Sequence, residues 1–113
     1  MGYTNYWTQT RDFTNDEWTK VKKEYEWLLE MDDQRTIKDE THQNDHDLII
    51  FNGKSELSHE TMVITKRKRS QDFQFCKTAR KPYDIGVWHM LAFIKSNTGA
   101  YSKINRDGFG DWA

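Results

Sequence analysis

The chain has 113 residues with 18 acidic and 17 basic side chains, so it fits a single domain, 1–113, with almost no net charge. One cysteine excludes an intramolecular disulfide and a cysteine-built zinc site. The longest apolar run, residues 85–94, is too short to cross a bilayer, and the opening residues lack a signal-peptide core, so no membrane is expected and cytosol is the expected compartment.

Residues 2–8 are rich in Tyr, Thr and Trp and read as a strand, with Tyr3, Asn5 and Trp7 on one face. Thr14 and Glu17 have the spacing of a capping box, and Asp16 and Glu17 suit the positive end of a helix. Behind them Trp18, Val21, Tyr25 and Leu28 recur at helical spacing, which predicts an amphipathic helix over 15–31. Residues 32–47 are polar and aperiodic and read as a loop. Residues 48–51 form a short apolar strand that Asn52-Gly53 closes as a turn. Residues 61–66 and 73–78 read as two further strands, with "RKRSQ" as the tip of the hairpin between them. Pro82 suits a first helical turn, and length with Met, Leu and Ala content favours a helix over 83–95, against the alternative of a buried strand. Residues 100–105 read as a last strand and Asp107-Gly108 as a turn. This order predicts an α+β fold, an antiparallel sheet of about four to five strands with two helices packed on one face.

Charge is unevenly spread. Residues 12–60 hold fourteen acids and six bases, whereas residues 66–81 hold seven bases against Asp72 alone. The acidic part reads as a solvated face and the basic part as an electrostatic footprint. Its sharpest element is "FCKTARKPYD". Alternation puts Phe73, Phe75 and Lys77 on one strand face, and the two phenylalanines are expected to point at the helix layer. The chain then turns into a helix whose free N–H groups carry partial positive charge. Lys77, Arg80 and Lys81 add full charges there and Thr78 adds a hydroxyl donor, a combination suited to phosphate. In the competing structural reading, Asp84 pairs with Arg80 or Lys77 and the turn is a capped junction.

Lys66, Arg67, Lys68 and Arg69 suit nucleic-acid backbone, or simply keep a hairpin tip solvated. His42 and His46 lie four apart but in a segment that does not read as a helix, so no metal site is assigned. Cys76 reads as packing and His89 as a satisfied core histidine. The aromatic ends, 1–7 and 106–113, read as core closure or as the wall of a ligand pocket. No paired-carboxylate spacing or glycine-rich phosphate loop stands out. No cofactor is expected, and catalysis is the less favoured reading.

Three stretches together resemble a group of small, functionally uncharacterised proteins carried by bacteriophages and found in bacterial genomes. The shared features are an opening Met-Gly-Tyr-Thr-His-Tyr-Trp, a Glu-Thr before a strand, and Lys-Thr-x-Arg-Lys-Pro-Tyr-Asp before an apolar segment. Here they correspond to Gly2, Tyr3, Thr4, Tyr6 and Trp7, to Glu60 and Thr61, and to Lys77, Thr78, Arg80, Lys81, Pro82, Tyr83 and Asp84, with Asp107-Gly108 following. Asn5 stands where that group has histidine, so no acid–base or metal role carries over there. The resemblance implies a phage accessory protein acting in the host bacterial cytoplasm, of a kind that often blocks host defence. The leading expectation is therefore a non-enzymatic protein that binds a phosphorylated ligand such as a nucleotide. Lys77, Thr78, Arg80, Lys81 and Asp84 would form the site, with Tyr83, Trp7 or Trp112 stacking on a base. The alternatives are an interaction module for a host protein and a small enzyme acting on phosphorylated or nucleic-acid substrates.

Overall fold

The computed structural model describes residues 3–107. The expected roles of Gly2, Gly108 and Trp112 lie outside the described residues. The order is β1 (Thr4–Gln9), α1 (Asn15–Met31), β2 (Ile37–Asp39), β3 (Leu48–Gly53), a short 3-10 turn (Ser55–Leu57), β4 (Met62–Thr65), β5 (Phe73–Lys77), α2 (Asp84–Asn97) and β6 (Tyr101–Arg106).

Helix α1 begins where its caps dictate. The Thr14 hydroxyl accepts from the Glu17 N–H at 3.1 Å, and the Glu17 carboxylate accepts from the Thr14 N–H at 2.9 Å. The Glu17 carboxylate also accepts a fork of bonds from Arg11, at 2.9 and 3.0 Å, and one from the Gly99 N–H at 3.3 Å. It thereby ties the entry of α1 to the exit of α2. Chiefly the Arg11 bonds, helped by the two backbone N–H groups, pull its carboxyl down from 4.5 to about 2. The unfolded chain then binds the proton more readily than the folded one across that interval. Stability contributed by Glu17 is therefore present above pH 4.5 and lost as pH falls through about 2. Urea melts between these pH values should show a midpoint that falls with acid, and in Glu17→Gln this part of the slope should disappear.

The fold is α+β, but its strands divide differently from the expected single sheet of four to five. Among the described residues, six strands form two three-stranded sheets, in orders β5-β1-β6 and β2-β3-β4. Every pairing is antiparallel. Strands β4 and β5 do not form the expected hairpin, because residues 66–72 are held by the β1–α1 connection. Phe13 N–H donates to Lys66 C=O at 2.8 Å, Lys68 N–H to the Asp12 carboxylate at 2.7 Å, and Gln9 N–H to Asp72 C=O at 2.9 Å. These bonds carry the chain from one sheet to the other.

Two further expectations are corrected. The polar stretch 32–47 contains β2, whose Ile37, Lys38 and Asp39 pair with Gly53, Asn52 and Phe51. Asn52-Gly53 is consequently strand rather than turn. The Asn52 carboxamide accepts from the Gly53 and His59 N–H groups and donates to His59 C=O, so it orders the following loop like a piece of backbone. Gly53 is needed for space: a Cβ there would lie 1.9 Å from Leu57 O and 2.9 Å from the Tyr83 ring.

One core joins both helices and both sheets. Trp18, Val21, Tyr25 and Leu28 of α1 meet Val87, Met90, Leu91 and Ile94 of α2, with Trp7, Ile49, Phe51, Met62, Ile64 and Tyr101 from the strands. Rings supply much of it, as in the Tyr25–Phe51 and Phe13–Tyr101 contacts at 5.4 and 5.6 Å between centroids. No helix among the described residues is long and apolar enough to cross a membrane.

Candidate functional site

The residues singled out in the sequence separate into an interior group and a surface group. Trp7, Thr78, Tyr83 and Asp84 are buried, whereas Lys77 and Arg80 are exposed and Lys81 is half-buried.

The interior group centres on Asp84, the first residue of α2. One carboxylate oxygen accepts from the Asn5 amide and from the Thr78 hydroxyl, each at 2.6 Å. The other accepts from the Arg106 guanidinium, an ion pair among largely buried groups. Thus Thr78 donates inward to a carboxylate of the protein itself. Asp84 also meets the positive end of its helix, the place expected to receive an external anion. The predicted Asp84 pairing with Arg80 or Lys77 is replaced by Arg106, which the sequence reading missed. Register explains why: Asn5 lies opposite Cys76 on one side and Arg106 on the other, so β1 brings all three to one row.

Tyr3 roofs this cluster. The guanidinium carbons of Arg80 and Arg106 lie 4.9 and 5.0 Å from its ring centroid, and Arg106 also sits 5.0 Å from the Trp88 ring. The turn that aims Arg80 here places Ala79 and Arg80 at φ of 53° and 59°, a left-handed pair without glycine. Thr78 N–H donates to Tyr3 C=O at 2.8 Å and fixes the turn to β1. Tyr3 Oη, Asn5 Oδ1 and Arg106 Nε have no hydrogen-bond partner among the described residues. The opening motif, the Lys-Thr-x-Arg-Lys-Pro-Tyr-Asp motif and Arg106 therefore converge on one polar anchor.

Tyr83 packs on the other side of the turn, its hydroxyl donating to Glu60 C=O at 2.6 Å. Cys76 is buried beside it, and burial, with Glu60 and Asp84 charge behind it, pushes the thiol up to about 12. A thiol so raised is protonated near neutral pH and is packing, not a nucleophile. His89 is not in the core. It stacks on Trp27 at 5.4 Å and pairs with Glu24 at 2.6 Å on the outer side of the helices.

The surface group is organised by the sheet β5-β1-β6, and here the expected facing of β5 is reversed. Cys76 points into the core, so Phe73 and Phe75 point outward and are 53% and 52% exposed. The inner row is already filled by Asn5, Trp7 and Gln9, which leaves no room for a second pair of rings. Strand pairing brings Tyr6 opposite Phe75, Thr8 opposite Phe73 and Lys103, and Thr4 opposite Lys77. The Tyr6 and Phe73 rings stack at 5.8 Å, and Phe73 meets Phe75 at 6.4 Å. Exposed Lys77 and Lys103 stand at opposite ends of this aromatic run. The sequence reading missed Tyr6, Phe73, Phe75 and Lys103 as surface groups. The available signal was the small apolar Cys76 between Phe75 and Lys77 in "FQFCK", since a set of Phe73, Phe75 and Lys77 facing inward would bury a lysine.

The "KRKR" cations do not form one patch. Lys66 reaches Asn15, Arg67 reaches Asp47 at 3.6 Å, Lys68 reaches Asp72, and Arg69 donates to Gln74 at 2.9 Å. Among the described residues no three His, Cys, Asp or Glu side chains are grouped to hold a metal ion. Comparison with protein-family models, with curated proteins and with solved structures finds no match.

Proposed function

We propose that this protein is a non-enzymatic binder of a phosphorylated ligand with a planar base, a nucleotide or nucleotide chain, held on the outer face of the β5-β1-β6 sheet. The observation that carries this reading is the aromatic run Tyr6–Phe73–Phe75 on an open sheet face, flanked by Lys77 and Lys103. Single-sheet cores usually place such rings inward, and large exposed apolar patches mark contact sites. Rings stack on bases regardless of base identity, and the lysines supply charge for phosphate. Lys77 joins this face to the basic turn, so Arg80 and Lys81 extend the positive rim, while Thr78, Tyr83, Asp84 and Trp7 shape the protein beneath it. Combined with the resemblance to phage proteins, the reading becomes sequestration of a nucleotide signal or strand in the bacterial cytoplasm, to the detriment of host defence.

Fluorescence anisotropy with labelled nucleotides and oligonucleotides tests this. Phe75→Ala should weaken binding roughly 5- to 150-fold, the value of one lost stacking ring. Its melting temperature should barely change, because the ring is half exposed. Wild-type affinity matched by Phe75→Ala, or no binding by either, would remove the reading.

A second reading rests on a different observation. An apolar cleft of about 410 Å³ lies between the end of α1 and the start of α2, lined by Leu28, Met31, Ile37, Pro82 and Ile85. Met31 is 54% and Ile85 75% exposed there. This favours a host-protein interaction module, which Ile85→Asp would disable without affecting nucleotide binding.

A further inference from the structure

We infer that the ligand of this face is a single strand of nucleic acid, with successive bases on either side of Phe73, and not a mononucleotide. The inference rests on the stacking reading above and narrows its ligand.

The argument comes from how Phe73 divides the surface. On its β1–β6 side is a depression of about 190 Å³ lined by Tyr6, Thr8, Phe73, Lys103 and Asn105, with Trp7 and Ile104 at its floor. On its outer side is a wider one of about 480 Å³, lined by Glu60, Arg69, Ser70, Gln71, Phe73, Gln74 and Phe75. Phe73 is the wall common to both. Each depression therefore has a ring for stacking, a cation, and amide or hydroxyl groups that can meet a base edge. A mononucleotide can occupy only one of them and leaves the other ring face and cation unused. A strand crossing from Lys103 to Arg69 uses both, with one base against the Tyr6–Phe73 pair and the next against Phe75 beyond the Phe73 wall.

The charges around the path agree. Lys103, Arg69 and Lys77 flank it, the last two within a segment of seven bases and one acid over 66–81. Three acids stand nearby, Glu60 in the wall of the wider depression, and all are engaged by the protein, Asp72 by Lys68. Asp107 accepts from the Tyr6 hydroxyl at 3.0 Å and from the Thr4 N–H at 3.2 Å, and Glu60 accepts from the Lys77 N–H at 2.7 Å. The rings lie across the neighbouring strands β1 and β5, where unstacked single-strand bases can be laid out. A duplex keeps its bases stacked inside and presents none to Phe73.

The experiment compares five probes on the full chain: uridine and thymidine monophosphates, short oligouridylate, short oligodeoxythymidylate, and a duplex of equal length. The single strands should bind at least about tenfold more tightly than either monophosphate or the duplex. Their affinity should fall with salt at a log–log slope of roughly −1.4 to −2.1, for two or three neutralised phosphates. Phe73→Ala should remove the advantage of strand over monophosphate, and Phe73→Tyr should restore it, with both variants melting like wild type. The two single-strand arms show which sugar is preferred. Equal affinity for monophosphate and strand would overturn this inference and leave the stacking reading standing. Equal affinity for the duplex would also overturn it. Absence of binding to all five probes would overturn both, and sedimentation of wild type against Phe73→Ala would then show whether the face pairs two copies of the chain.

Discussion

Asp84→Ala is expected to destabilise the folded protein by about 3–5 kcal/mol, the largest loss from any single polar change. The mutation removes the acceptor for three donors at once, from Asn5, Thr78 and Arg106. The donors cannot turn to water, because Asn5 and Thr78 are fully buried and the Arg106 side chain is only 16% exposed. An arginine left without its counter-charge in that setting accounts for most of the cost, since breaking a buried pair costs more than the pair is worth as a unit. That asymmetry supplies the control. Asp84→Leu combined with Arg106→Met should recover much of the stability, because both charges then leave together. Denaturant melts of the single and double variants measure this directly. A loss below about 1 kcal/mol for Asp84→Ala would mean that the cluster is not the anchor described here. The same series bears on function. If Asp84 contacts a ligand, the double variant should lose binding; if it anchors α2 to β1 and β6, the double variant should still bind.

The second large effect is expected at Trp7. Its ring is 3% exposed, stacks on Tyr101 at 6.4 Å between centroids, and lies beneath the aromatic platform. Trp7→Ala should cost about 3–5 kcal/mol, from lost burial and from the cavity that remains. For a domain whose total stability is on the order of 5–15 kcal/mol, this will visibly lower the melting temperature. Trp7→Phe should recover part of it. Below the melting transition, the folded fraction of Trp7→Ala should bind nucleotide with wild-type affinity, which anisotropy on the cooled sample would establish. A loss of affinity with stability unchanged would return Trp7 to the role of ligand wall. Read together with Phe75→Ala, which should do the reverse, the pair separates the two faces of β1 and β5 by experiment.

Local chemistry was legible from the residues alone. The Thr14–Glu17 box and the Trp18, Val21, Tyr25, Leu28 stripe placed α1, because capping and helical periodicity act within a few residues. The same holds for α2 and for the positions of β1, β3, β4, β5 and β6, since apolar content and β-propensity are short-range signals. The α+β class followed from that order. Strand β2 escaped because its three residues expose Lys38 and Asp39 and owe their conformation to Phe51, Asn52 and Gly53 in another segment.

What the tertiary structure decided is which neighbours each strand face meets. Alternation divides Phe73, Phe75 and Lys77 from Gln74, Cys76 and Thr78 but does not say which set faces inward. The answer came from β1, whose Asn5, Trp7 and Gln9 fill the inner row and turn the phenylalanines outward. In the same way, cation content marked the turn at 77–84 as charged, but only the crossing of β1, β6 and α2 matched Asp84 with Arg106, 22 residues away. A carboxylate in a basic turn reads equally as ligand contact or as internal partner. Long-range packing resolves the two, because it decides whether water or protein surrounds the charge.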